Sequence, residues 1–309
     1  MRIAIEGCCH GELDKIYASI EYIQKHQNIK IDLLLICGDF QSIRNNTDLS
    51  AMACPDKYKQ IGTFYKFYNS TKKPIVPTVF IGGNHEASNY LWELFHGGWV
   101  CPDVYFLGFA GCIRFNGLRI SGLSGIFKAS DYMKGHYEKE PYSASDCRSI
   151  YHVRQFDVFR VAQLSGSIDV FLSHDWPRGI ASHGDTRGLI ARKRFLEQEI
   201  YTNTLGSEPG EFLLHRLQPS YWFSAHLHVK FAAVVNHNGQ SNESVHQNDD
   251  EIPIDDSDGS ETDVKATGPS VAKTTKFLAL DKCLPGRDFL QVKKKHNCDN
   301  MLHVYSHAS

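Results

Sequence analysis

Seven side chains of metal-ligating type stand at the ends of short apolar runs: Cys8, His10, Asp39, Asn84, His174, His226 and His228. They fall in five motifs, Gly7-Cys8-Cys9-His10, Gly38-Asp39, Gly83-Asn84-His85-Glu86, Ser173-His174-Asp175 and His226-Leu227-His228. Ligand groups of an open α/β sheet gather beyond the carboxyl ends of its strands, and two bridged metal ions require such a set. A carboxylate at the Gly38-Asp39 bend can bridge two cations, whereas read alone it is an ordinary turn aspartate. Asn84 offers a neutral hard oxygen. His85 is placed to face a substrate, with a pKa range suited to general-acid work or charge stabilisation. Glu86 reads as a hydrogen-bonding support for the ligands, and Asp175 as the group fixing the His174 tautomer. His226 and His228, two apart, share one face if the segment is extended. Two ions about 3.5–4 Å apart can hold a bridging hydroxide and clamp a phosphoryl oxygen for in-line displacement. A thiolate at Cys8 would favour softer ions. Apart from the contiguous Ser173-His174-Asp175, no Ser-His-Asp order and no Walker loop is found, so neither covalent nor nucleotide-driven chemistry is indicated.

The elements that must position these groups read as α/β. Strands are expected at 2–6, 31–37, 78–81, 169–172, 221–224, 230–235 and 276–280, with hairpin-linked strands at 104–107, 112–115 and 118–123. The run 31–37 is nearly all apolar, as in a parallel strand buried on both faces. Helices are expected at 13–25, 58–68, 150–164, 192–200 and 210–217. Residues 236–274 are rich in Asn, Ser, Asp and Glu and carry the cluster Asp249-Asp250-Glu251, which predicts an acidic disordered insert. Residues 275–309 are expected to form a C-terminal segment that begins with the strand at 276–280 and ends in a polar tail, short beside the family that the motifs below resemble.

At 309 residues and 42% hydrophobic the chain can bury a full core. A net charge of -2 leaves any nucleic-acid contact to local patches. The N-terminus runs straight into a strand, so no signal peptide is expected, and no apolar stretch reaches membrane length. Nine widely spaced cysteines suit small core residues in a reducing compartment better than a disulfide framework.

The ordered motifs resemble the calcineurin-like metallophosphoesterase superfamily: Asp-x-His, Gly-Asp, Gly-Asn-His-Glu/Asp, a lone His, then His-x-His. Cys8 stands where most members have the first Asp. That swap is similar to the lariat-debranching family of the superfamily. So are Gly38-Asp39-Phe40-Gln41, Ile81-Gly82-Gly83-Asn84-His85-Glu86-Ala87-Ser88, Ser173-His174-Asp175-Trp176-Pro177, Phe223-Ser224-Ala225-His226-Leu227-His228 and Lys276-Phe277-Leu278-Ala279-Leu280-Asp281. The likeness runs over 1–235 and resumes over about 275–291.

The resemblance implies a metallophosphoesterase β-sandwich flanked by helices, with a binuclear metal site at the strand ends and a catalytic domain over 1–235. It implies two divalent ions (Fe²⁺, Zn²⁺ or Mn²⁺). Cys8, His10 and His228 would hold one, Asn84, His174 and His226 the other, and Asp39 would bridge them. The implied reaction is RNA lariat debranching: a metal-bound hydroxide hydrolyses the 2′–5′ phosphodiester at an intron branch point, and His85 protonates or stabilises the leaving 2′ oxygen. Branched intron RNA and splicing or intron-turnover proteins are the implied partners. The implied location is the nucleus, with shuttling to the cytoplasm, as a monomer without a membrane anchor.

Residues 124–154 resemble the family's lariat recognition loop. Its expected RNA contacts are Ser124, Phe127, Lys128, His136, Tyr137, Arg148, Tyr151, His152 and Arg154. Cations interleaved with rings suit an unpaired, branched RNA, whereas an ordinary surface insertion would carry solvated charges. Arg187, Arg192, Lys193 and Arg194 read either as further phosphate contacts or as a solvated helix face. Two other functions remain open at this point. A phosphoprotein phosphatase would share the binuclear site, although Gly-Asp-x-Val-Asp-Arg-Gly is replaced here by Gly38-Asp39-Phe40-Gln41-Ser42-Ile43-Arg44. A catalytically compromised shortened form would act as a binding scaffold.

Overall fold

Leu33–Ile36 is apolar at all four positions because both faces of the strand are covered. Leu33 and Leu35 point into a core between two sheets, while Leu34 and Ile36 point to a second core under a helix. The same alternation repeats across the molecule and produces helix, sheet, sheet and helix layers. The computed structural model describes residues 1–237 and 273–294. All but the ends of the expected acidic insert at 236–274, and the tail beyond 294, lie outside the described residues.

The first sheet runs in the order β12-β1-β2-β3-β5-β4 and the second β10-β11-β9-β8-β7-β6. In chain order the strands are β1 Arg2–Glu6, β2 Leu33–Ile36, β3 Thr78–Phe80, β4 Gly98–Cys101, β5 Val104–Phe106 and β6 Ala110–Phe115. They continue with β7 Leu118–Leu123, β8 Val170–Ser173, β9 Tyr221–Ser224, β10 Phe231–Asn236, β11 Thr274–Ala279 and β12 Leu290–Lys294. Strands β1, β2, β3 and β5 are mutually parallel, as are β7, β8, β9 and β11, and the edge strands are antiparallel to their neighbours. The helix Leu13–Gln27 buries Leu13, Ile16, Tyr17 and Ile20 against the outer face of the first sheet. These lie at helical spacing, and Asn28 ends the helix in the left-handed conformation. The helices Gln155–Ala162 and Glu208–Leu217 cover the second sheet over Phe171, Trp222, Phe231 and Phe277.

Several local expectations are corrected. The helix expected at 58–68 is only a 3₁₀ turn at Asp56–Tyr58 and one turn at Tyr65–Tyr68. Between them Gly62 takes a positive φ and lies against Gly11, and Thr63 hydrogen-bonds the Gly11 carbonyl. The helix expected at 150–164 is confined to Gln155–Ala162, because Val153 bonds Ile126 and closes the loop begun at Ser124. Residues 192–200 break into Arg194–Leu196 and Glu197–Tyr201. Strand β5 is hairpin-linked to β4 rather than β6 and belongs to the first sheet, leaving β6–β7 as the hairpin of the second. Neither β4 nor β12 was expected. The segment after Lys273 places β11 inside the second sheet and β12 at the edge of the first, beside β1. All eight cysteines among the described residues are free.

Candidate metal centre

Five parallel strands, β1, β2, β3, β8 and β9, end on one rim of the sandwich, and each delivers one motif there. The turns are sharp. His10, Asp39, His226 and His228 all have φ between 47° and 63°, a region that costs roughly 1–2 kcal/mol for a residue with a Cβ. Such geometry persists only where surrounding structure imposes it. Gly38 and Gly83 make the crowding possible: a Cβ on Gly38 would sit 2.3 Å from His174 Nδ1, and one on Gly83 2.2 Å from Asp39 Oδ1.

Cys8, His10, Asp39 and His228 each offer a ligand atom, and these atoms all lie within 4.8 Å of one another. His10 Nε2 is 3.1 Å from His228 Nε2 and 3.6 Å from Asp39 Oδ2. The other carboxylate oxygen, Asp39 Oδ1, faces a second group, lying 3.4 Å from His174 Nε2, which in turn is 3.1 Å from Asn84 Oδ1. The His226 ring is centred 5.0 Å from that of His174. Asp39 therefore stands between two groups of candidate ligands with one oxygen toward each, one of the arrangements open to a bridging carboxylate.

The donor chemistry fits divalent cations. Burial pushes His228 down to about 3, helped by His10 and Lys282. Burial likewise lowers His174 to about 4 against the pull of Asp39, and lowers His10. Neutral imidazoles keep a lone pair for a metal. Asp39 is held below the usual carboxylate range: burial alone would raise it, but His174, His10 and His85 outweigh that. Burial, with Asp39 and Glu6 nearby, pushes the Cys8 thiol well up, so a cation there must displace its proton.

His174 Nδ1 bonds the Cys37 carbonyl at 2.7 Å, which leaves Nε2 free to face the candidate centre. This corrects the reading of Asp175, whose carboxylate instead accepts from the amides of Phe127 and Trp176. His226 and His228 are also reached differently than expected. Both are left-handed turn residues, and they separate toward the two halves of the centre instead of sharing a strand face. Glu86 accepts from the amides of Phe40, Gln41 and Gly83, tying the Asp39 turn to the Asn84 turn as its reading implied. The His85 amide donates to Asp39 Oδ1 at 2.8 Å, its ring is centred 5.9 Å from His10, and its buried Nδ1 has no hydrogen-bond partner among the described residues.

The profile of the calcineurin-like phosphoesterases matches residues 1–230. The chain belongs to the calcineurin-like phosphoesterase family. Within this phosphoesterase, residues 272–302 also match the profile described as lariat debranching enzyme, C-terminal domain. The chain is similar to the lariat debranching enzymes of Danio rerio (53% identical over 292 residues) and Homo sapiens (51% over 292 residues), covering 94% of this chain and 47% and 49% of theirs. The Arabidopsis thaliana enzyme of that name is 49% identical over the same share of this chain and 62% of its own. The chain thus spans about half the length of the curated relatives it matches.

The phosphoesterase's loop 124–154 divides its expected RNA contacts into two groups. Ser124 is buried, donating to the Gly108 carbonyl and accepting from the Gly82 amide. Arg154, only 2% exposed, bonds Glu138 and the carbonyls of Asp131 and Ser149. His152 bonds Asp131 at 2.7 Å, and the His136 side chain, 8% exposed, lies near Glu138, Asp157 and the Trp92 ring. These four hold the loop's shape. Phe127 and Tyr151 are half-buried, while Lys128, Arg148 and Tyr137, the last 79% exposed, are open to a ligand. A buried ion pair reads in sequence like any other Arg and Glu, so only the packing separates the two groups.

Two further residues escaped the sequence reading. Glu6, at the end of β1, is fully buried, its carboxylate oxygens have no hydrogen-bond partner among the described residues, and burial beside Asp39 raises its carboxyl. Lys282 pairs with Cys8 as an isolated parallel bridge, and the Cys283 amide donates to the Cys8 carbonyl at 3.1 Å. The available signal for Lys282 was that it directly follows the family-like block ending at Asp281.

Proposed function

We propose that this chain is a metal-dependent phosphodiesterase that hydrolyses the 2′–5′ linkage of branched intron RNA, leaving a 5′ phosphate and a free 2′ hydroxyl. The observation that carries the reading is Cys8. Its sulfur joins a bridged ligand set, and the segment matching the lariat debranching C-terminal profile lies directly against it through Lys282 and Cys283. The lariat debranching names of the relatives support the choice of substrate.

Cys8, His10 and His228 would hold one ion, Asn84, His174 and His226 the other, with Asp39 between. When bound, two divalent ions drawn from Fe²⁺, Zn²⁺ and Mn²⁺ supply Lewis-acid stabilisation of the phosphoryl oxygens and acidify the attacking water. His85 holds a proton for the leaving 2′ oxygen, its backbone fixed by Asp39 so that metal set and acid stay in register. Phe127 and Tyr151 offer rings for stacking, and Lys128 and Arg148 offer charge to the RNA backbone. A nuclear site of action, with splicing or intron-turnover proteins nearby, follows from that substrate.

A phosphoprotein phosphatase is disfavoured by the fate of Arg44. Its guanidinium bonds Asp48 at 3.0 Å through two nitrogens and lies 4.1 Å from the Tyr90 ring centre, so it is committed to the fold. The deciding assay offers purified protein a 2′–5′ branched oligonucleotide, a linear RNA and a phosphopeptide, with metal analysis of the same sample. Cleavage of the branch alone is expected; turnover of the phosphopeptide with an intact branch would reject the proposal.

A further inference from the structure

We infer that Lys282 is a substrate-holding residue whose ammonium takes a non-bridging oxygen of the scissile phosphate, on the side of the centre formed by Cys8, His10 and His228. The inference rests on the phosphodiesterase reading above and adds to it a residue from the C-terminal segment.

The placement follows from register. Lys282 and Cys8 are partners in a parallel bridge, and partnered residues of neighbouring extended segments project to the same face. The Cys8 sulfur is in the ligand cluster, so the Lys282 side chain leaves its backbone toward the same rim. The backbone there is held on every side. The Cys8 amide donates to the Asp281 carbonyl, Cys283 donates back to Cys8, Asp281 donates to Asp288, and Gly7 donates to Phe289. A Cβ on Gly7 would lie 2.1 Å from the Asp281 oxygen, so no side chain fits between β1 and this segment.

Charge points the same way. Lys282 is half-buried on a backbone that adjoins that of Cys8. Among the described residues no carboxylate pairs with it. Its neighbour Asp281 receives Arg287 at 3.3 Å and the Lys282 amide at 2.7 Å instead. Asp39 and a Cys8 thiolate would offset only part of the charge of two divalent ions, so an unpaired ammonium beside them favours a further anion. A phosphodiester oxygen is such an anion, and a lysine is a compact point charge suited to it.

The test compares Lys282→Met and Lys282→Arg with the unaltered chain, each checked for folding by circular dichroism. Three quantities are read: metal content, competitive inhibition by inorganic phosphate, and kcat/KM on a branched oligonucleotide and on bis(p-nitrophenyl) phosphate, which carries a single phosphate. Lys282→Met should keep its metal. It should lose about 10- to 100-fold in phosphate affinity and in kcat/KM on both substrates, the worth of one charge-assisted hydrogen bond, and Lys282→Arg should recover part of it. Unchanged phosphate affinity would overturn the inference. Metal loss would show a structural role instead, and a defect confined to branched RNA would move the contact to another phosphate. If the unaltered chain leaves the branch intact but cleaves the small diester, the substrate reading fails while the Lys282 test stands.

Discussion

The amide of His226 donates to the sulfur of Cys8 at 3.2 Å, joining the motif after β1 in one sheet to the motif after β9 in the other. The second sheet therefore helps to hold the sulfur through a main-chain donor. Cys8→Asp is expected to shift selectivity from Zn²⁺ or Fe²⁺ toward Mn²⁺, because thiolate favours softer ions than carboxylate does. Elemental analysis after reconstitution with an equimolar metal mixture reads this directly. An identical metal profile would remove the sulfur from the ligand set.

His85 touches Asp39 through its backbone, whereas its ring Nδ1 has no hydrogen-bond partner among the described residues. His85→Ala should cut branch hydrolysis by about 10²–10⁴-fold, the range for a general acid, with metal content nearly unchanged. Depletion of the metal in this variant would show that the ring supports the ions instead.

Gly83→Ala puts a methyl group 2.2 Å from Asp39 Oδ1 and 2.8 Å from His174 Cε1. Neither neighbour can retreat, since Asp39 is held by the His85 amide and His174 by the Cys37 carbonyl. We expect a loss of about 1–3 kcal/mol in stability from overpacking and a metal affinity lower by roughly 10- to 100-fold. Denaturant melts with metal titration would contradict this by showing no change in either.

Chelation should lower the melting temperature of the metal-loaded protein, since ligands that bind only the folded state stabilise it. At a thousandfold excess of free metal over Kd the difference is about 4 kcal/mol. Equal melting curves with and without chelator would mean that the ligand set holds no ion in solution.

The loop 124–154 should loosen in acid. Burial would raise Glu138, but His136, the Ser149 hydroxyl and Arg154 outweigh it and bring the carboxyl down from 4.5 to about 2. A depressed carboxylate contributes stability that is fully present above its unfolded pKa and disappears as pH falls through the folded one. Protection of the loop amides from hydrogen exchange is thus expected to hold above pH 4.5 and fall away toward pH 2. Glu138→Gln should flatten that profile. Arg154→Met should cost about 3 kcal/mol by stranding the buried carboxylate, and a neutral effect would mean that the pair is solvated.

Much of the centre was legible because ligand types at strand ends are local features. The apolar runs before Cys8, Asp39, Asn84, His174 and His226 located the strands, and parallel strands bring their carboxyl ends to one rim. Four-residue strands such as Leu33–Ile36 declare burial on both faces by having no polar position. The helix expected at 58–68 failed for a non-local reason, the contact of Gly62 with Gly11, which no propensity within the segment encodes.

By itself the sequence determined the inventory of candidate ligands, the α/β class and the family, since these depend on residue type and on periods of two or a few residues. Tertiary structure alone decided how the ligands divide, with Asp39 turning one oxygen to His10 and the other to His174. It also decided that Arg154 and His152 brace the loop while Arg148 stays open, and that Lys282 lies beside Cys8. The physical reason is the same in each case. Chain turns in the left-handed region and pairings between residues as far apart in sequence as Cys8 and Lys282 set where a side chain points. Neither leaves a periodic trace in the order of the amino acids.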